Sequence, residues 1–390
     1  MADDTRDTDP GVTDLRRSSR DHDALRARLA TWLTARLADG AAPEVVGLTA
    51  TSANGMSSET LLVDVAWTTE GRRDVHELVC RLAPAEKDIP VFQRYDLASQ
   101  FDTIRLVADL SDVPVPSAWW SEPDPAAIGS PFFVMGRVEG RVPPDVMPYN
   151  FGDSWLYDAT PDQQRHLQDA TVDVLARLHA IGDATERFAF LSPGDTAAAA
   201  PGPAPASASP LGRRVAATRS WYEFAAADGY RSPLIERAFA WLDDHWPRHE
   251  TDPVLCWGDS RIGNVMYDGF DPVAVLDWEM ATLGPRELDV AWLIYGHRMF
   301  EDIAATFDMA GMPGFLRADD VAGTYEALTS HTPRDLAWFG TYAAVQYAIV
   351  FLRTGARAVH FGETTKPDVV DDLVMNREPL ERMLAGTYWS

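Results

Sequence analysis

Two short apolar runs, each leading into a carboxylate, restrict the fold of this chain more than any other feature. The first is Val254-Leu255-Cys256, which meets the tight turn Trp257-Gly258-Asp259. The second, Val273-Ala274-Val275-Leu276, runs into Asp277-Trp278-Glu279. Between them stand Arg261, two residues after the first acid, and Asn264, five after it; Asp277 follows Asn264 by 13 positions. Short apolar runs bounded by turn residues read as buried strands. Taken singly, a Gly-Asp turn is an ordinary capped strand end. The ordered set of Asp259, Arg261, Asn264 and Asp277 is not.

Phosphoryl transfer needs these residue types. An acceptor hydroxyl requires a carboxylate to orient it and take its proton, which fits Asp259. A triphosphate travels with magnesium, a hard cation that takes oxygen ligands, and Asn264 and Asp277 can supply them. Arg261 is placed to offset charge on the transferring group.

The rest of the chain is read around that segment. Its 390 residues exceed what one core usually serves, so two lobes are expected. At 46% hydrophobic and 24% charged it has a globular composition. No apolar run reaches bilayer length and the N-terminus is acidic rather than signal-like, which excludes a membrane partner and predicts a cytoplasmic protein. A net charge of −25 argues against nucleic acid. Only Lys87 and Lys366 are lysines, so phosphate contacts fall to arginine. Cys80 and Cys256 lie in apolar stretches with no zinc or disulfide spacing, and are expected as buried free thiols.

Residues 1–22 are polar and aperiodic, predicting a disordered arm. Helical spacing marks Asp23 to Ala38 and Tyr95–Leu110; Leu61–Trp67 and Val75–Leu82 read as strands joined at Glu70-Gly71, and Pro131–Val138 as another. After residue 140 the periodicity turns helical, at Gln164–Ile181, Leu288–His297, Leu336–Val359 and Asn376–Leu384. The Ala/Pro/Gly/Ser run over 192–210 predicts a mobile loop.

In these motifs the sequence resembles the aminoglycoside phosphotransferase and choline kinase superfamily, relatives of protein kinases. That family's His-Gly-Asp, four residues, Asn is matched by Trp257-Gly258-Asp259 through Asn264. Gly258–Arg261 and Leu276–Gly284 resemble the branch that contains bacterial aminoglycoside-phosphotransferase-like proteins and the kinase-like domain fused to acyl-CoA dehydrogenases. The likeness runs from about residue 45 to the C-terminus.

It implies an α+β, bilobal protein-kinase-like fold, with a small antiparallel-sheet N-lobe over 23–136 that binds nucleotide. A larger, mainly helical C-lobe over 137–390 carries the catalytic loop and the acceptor site. It also implies ATP and Mg2+ as cofactors and a small-molecule hydroxyl acceptor. Gly55, Ser57 and Ser58 fall in the turn over the phosphates, and Arg81 stands where the family has a nucleotide-gripping Lys, with Gln100 or Asp102 nearest as its helix partner. Met135 to Arg137 fall at the hinge beside adenine; His179 and Asp289 are expected to be structural. Trp257 replaces the family's loop His. Trp221, Tyr222, Trp278 and Glu279 are candidates for the acceptor side. Three functions are open: a kinase of a metabolic hydroxyl such as a hydroxyacyl thioester, a true aminoglycoside phosphotransferase, and a nucleotide-binding pseudokinase.

Overall fold

The computed structural model describes residues 20–50, 58–192 and 209–389. Gly55, Ser57, residues 1–19 of the expected arm and nearly all of the 192–210 run therefore lie outside the described residues. Arg20 to His22, by contrast, belong to the folded part. Helix α1 (His22–Thr34) starts at Asp21, whose carboxylate accepts the N–H groups of Asp23 and Ala24. Arg20 pairs with Glu59 at 2.7 Å.

The small lobe is a five-stranded antiparallel sheet. Strands β1 (Glu44–Ala50), β2 (Glu59–Thr69), β3 (Arg72–Leu82), β4 (Ala118–Glu122) and β5 (Phe132–Gly136) lie in the order β1-β2-β3-β5-β4. Glu70 and Gly71 both take positive φ, 51° and 81°, the backbone of a two-residue hairpin turn whose twist matches the strands. Alternation along β3 decides the site. Leu78, Cys80 and Leu82 face the core under α1, while Val79 belongs to the core shared with the large lobe. Arg81, in register with Thr60 and Phe133, therefore points toward the cleft. Helix α2 (Leu97–Leu110), capped by Asp96 on the Ser99 N–H, packs Ile104 and Val107 into that shared core.

The large lobe is mainly helical. Helix α3 (Pro161–His179) opens with a Thr160/Gln163 capping box and Pro161. The short α4 (Ala184–Arg187) follows, then α5 (Pro210–Ala225) and α6 (Pro233–Asp244), each started by a serine cap and a proline, Ser209-Pro210 and Ser232-Pro233. Two small ribbons come next. Strand β6 (Val254–Cys256) pairs with β9 (Thr282–Gly284), and β7 (Val265–Asp268) with β8 (Asp271–Val275). Helices α7 (Glu287–Thr306), α8 (Ala318–Thr329), α9 (Leu336–His360) and α10 (Arg377–Leu384) complete the lobe. Helix α9 is buried along most of its length and packs on α5, α6, α7 and α10.

Two chain segments contribute prominently to the contact between the lobes. One connection is the segment after β5, where Arg141 pairs with Tyr267. The other is the segment between β3 and α2. There Trp221 Nε1 donates to the Val91 carbonyl at 2.9 Å, Phe92 stacks on the Trp221 ring, and Arg353 donates to the Pro90 carbonyl at 3.0 Å. Among the described residues no helix is long and apolar enough to cross a membrane.

Candidate active site

The loop from β6 to β7 is held from below by Asp289, at the start of α7. Its two carboxylate oxygens accept the N–H groups of Trp257 (2.7 Å) and Gly258 (2.8 Å), and Ser260 Oγ donates to its carbonyl. His179 bridges the same carboxylate to the Tyr325 hydroxyl. Cys256 Sγ, next to this group, donates to the Gly284 and Pro285 carbonyls, and both cysteines are buried and unpaired. Every member of this buried cluster is thus spent on the fold.

Gly258 must be glycine. Its φ is +91°, and a Cβ there would fall 2.1 Å from the Met280 carbonyl oxygen. Gly258→Ala is expected to lower unfolding free energy by about 2–5 kcal/mol, from backbone strain plus the clash, measured by urea denaturation.

Asp259 emerges from this turn with its side chain mostly covered. Its Oδ1 accepts from Trp292 Nε1 at 2.8 Å and Arg261 Nε at 3.1 Å, and its Oδ2 from Asn264 Nδ2 at 2.7 Å. Burial pushes the carboxyl above its usual range; Arg261 draws it back and Asp277 pushes it up again. Burial works against the Arg261 charge, but Asp145 and Asp259, which it contacts together, hold the guanidinium above its ordinary value.

Asp277 stands two residues past the end of β8 and sits in the left-handed region at φ 59°, an uncommon backbone for a residue with a Cβ. Its partner is Arg81, whose Nη2 reaches Asp277 Oδ1 at 2.9 Å and Ser58 Oγ at 3.0 Å, while Nη1 reaches Thr60 Oγ1. Helix α2 supplies no carboxylate to Arg81. Gln100 lines the same cleft without an ion pair, and Asp102 turns to Arg105. Trp257 takes over a linking role: its indole N–H donates to the Leu276 carbonyl at 2.8 Å, tying the loop to the residue just before Asp277.

Arg81, Asn264 and Asp277 lie on the wall of one cleft of about 210 Å³ between the lobes. Its apolar lining comes from Leu62, Val79 and Met135 above and Met266, Val275 and Trp278 below. Arg137 also borders it, but its N–H is spent on the Glu77 carbonyl and its guanidinium on Asp64 and Glu77. Ser58 is brought to the cleft edge and also donates to Glu279. Trp221 and Tyr222 are core, hydrogen-bonded to Val91 and Ser232, and Trp278 lines the cleft.

Trp292 and Asp145 reach the centre without a local motif. They come from positions far from Asp259 in sequence, so only the fold brings them in. The one sequence cue is that Trp292 lies three residues after Asp289, hence one helical turn along the same face.

A sheet lobe over a helical lobe, with an amide and an acid on the wall of the cleft between them and a second acid hydrogen-bonded to that amide, is the architecture of a kinase-type phosphotransferase. Residues 53–328 match the sequence model of the phosphotransferase enzyme family, and the chain belongs to that family. Acyl-CoA dehydrogenase family member 10 of Mus musculus is 28% identical over 220 residues, covering 55% of this chain and 18% of that protein. The chain thus spans less than a fifth of that relative's length. Among solved structures, a candidate aminoglycoside phosphotransferase from Ralstonia eutropha JMP134 superposes with a TM-score of 0.60 at 20% identity, covering 94% of this chain and 98% of that one. The GDP complex of aminoglycoside 2′-phosphotransferase-IIIa gives 0.53 at 13% identity, covering 93% and 99%. At these identities the superpositions establish the fold.

Proposed function

We propose that the protein transfers the γ-phosphoryl group of ATP to a hydroxyl of a small molecule in a magnesium-dependent reaction in the cytoplasm. One observation carries this reading: Arg81, Asn264 and Asp277 share the wall of a single cleft, and Asp259 is hydrogen-bonded to Asn264. The donor set suits magnesium. Asn264 spends its N–H group on Asp259, which leaves its carbonyl oxygen for a hard cation, and Asp277 adds a carboxylate. Once bound, the ion would neutralise charge on the phosphate oxygens. Arg81 is positioned to pair with phosphate oxygens, a task that suits its planar fork. Asp259 orients the acceptor hydroxyl and receives its proton. Arg261, already compensated by two carboxylates, supplies positive charge beside the transferring group. Ser58, at the cleft edge, would face the phosphates, with Met135 and Arg137 toward the adenine end; Gly55 and Ser57, assigned to the same role from the sequence, lie outside the described residues.

For the acceptor we favour a metabolic hydroxyl of the hydroxyacyl-thioester type. A polycationic aminoglycoside needs several carboxylates to receive its ammonium groups. The acids around Asp259 already have cationic partners, Asp145 with Arg261 and Asp277 with Arg81. The curated relative's name also refers to acyl-CoA chemistry. Steady-state assays with ATP, comparing hydroxyacyl-CoA compounds with kanamycin-type aminoglycosides, test the choice. Turnover of the thioesters is expected; efficient turnover of aminoglycosides alone would reverse it. A second reading, a nucleotide-binding regulator, draws on Arg81 and Trp257 in place of the family's Lys and His. Tight Mg-ATP binding without transfer to any alcohol would favour it.

A further inference from the structure

The donors around Asp259 are unevenly divided between its two oxygens. An ionised carboxylate offers about two lone-pair positions per oxygen. On Oδ1 both are filled, by Trp292 Nε1 at 2.8 Å and Arg261 Nε at 3.1 Å. On Oδ2 one is filled by Asn264 Nδ2 at 2.7 Å; the same Arg261 N–H approaches the other only at 3.3 Å, as the weak branch of a shared bond. We propose that Trp292 is a positioning residue that saturates Oδ1 and so leaves Oδ2 as the atom that takes the acceptor's proton. This rests on the phosphotransferase reading of Asp259 above.

Trp292 is itself fixed. It is 4% exposed, and its ring stacks on Tyr347 of α9 with centroids 4.8 Å apart. Asp289, one turn earlier on α7, anchors the backbone of the same loop. A single helix therefore sets both the height of the loop and the rotation of the Asp259 side chain. In the step this serves, the acceptor O–H bond breaks and its oxygen bonds to phosphorus. The bond from phosphorus to the bridging oxygen of the nucleoside diphosphate breaks and its pair leaves with that oxygen. The proton ends on Oδ2.

The test is Trp292→Phe, which keeps an aromatic ring against Tyr347 and removes the N–H together with one ring of the indole. With ATP and the hydroxyacyl-CoA acceptor, kcat should fall by about tenfold, the cost of a slightly misaligned base, while KM for ATP stays within about twofold. Replacing Trp292 by β-(3-benzothienyl)alanine, which keeps the bicyclic shape without an N–H, should give the same split. That second protein keeps the question open to refutation if the Phe variant folds poorly. A wild-type kcat in the benzothienyl protein would overturn the proposal. So would a parallel loss in kcat and rise in KM, which marks general structural damage. Asp259→Asn separates the two levels: if it retains turnover, the base assignment itself fails, whereas its collapse beside an unaffected benzothienyl protein refutes only the role of Trp292.

Discussion

Asp259→Asn should lower kcat by about 10²–10⁴, the usual worth of a general base, with Mg-ATP affinity nearly unchanged. The shape is conserved, and Asn can still accept from Trp292 and Arg261 through its amide oxygen. What it loses is an atom able to hold the proton, because neither the oxygen nor the nitrogen of an amide is basic enough to accept one. Single-turnover measurements with ATP and the acceptor check this directly. A variant that transfers phosphate at close to the normal rate would remove Asp259 from the chemistry.

Asp277→Ala should abolish measurable Mg-dependent ATP binding, a loss of at least about 100-fold in calorimetry. Asn264 would be left as a neutral and solitary oxygen donor. The same change strands Arg81, whose side chain is 9% exposed and has Asp277 as its carboxylate partner. Breaking such a buried pair typically costs about 3–5 kcal/mol, moderated here by the hydroxyls of Ser58 and Thr60. The melting temperature of the nucleotide-free protein should therefore fall as well. Wild-type affinity would show that the metal is held elsewhere.

The reach of sequence reasoning follows physical range. Asp259, Asn264 and Asp277 were legible because strand and turn chemistry fixes their spacing locally. Strand alternation likewise places Arg81 opposite Leu78, Cys80 and Leu82. The partner of Arg81 was not legible: proximity on α2 suggested Gln100 or Asp102, yet the ion pair forms across the lobes to Asp277. Trp292 and Asp145 join through tertiary packing, and the one-turn spacing of Trp292 from Asp289 is the local cue to the former. For Trp221 and Tyr222 the sequence leaves an acceptor-side and a core place equally open, and the fold selects the core. Ser209-Pro210 and Ser232-Pro233 announce the starts of α5 and α6, and in α6 Leu234, Ile235, Ala238, Phe239 and Leu242 also recur at helical spacing.

The contact between the lobes has a mechanical consequence. A hinge needs one pivot, and a clamshell opening would swing the sheet lobe about the segment after β5. The Pro90-Val91-Phe92 segment, pinned by Trp221 and Arg353, adds a second bearing on the other side of the cleft. The Arg81–Asp277 ion pair and the Val275 N–H bond to the Pro114 carbonyl also cross between the lobes, so a wide opening would have to break all of these contacts together, whereas small sliding adjustments need not. Nucleotide exchange would then be geared to small rocking strokes rather than wide excursions.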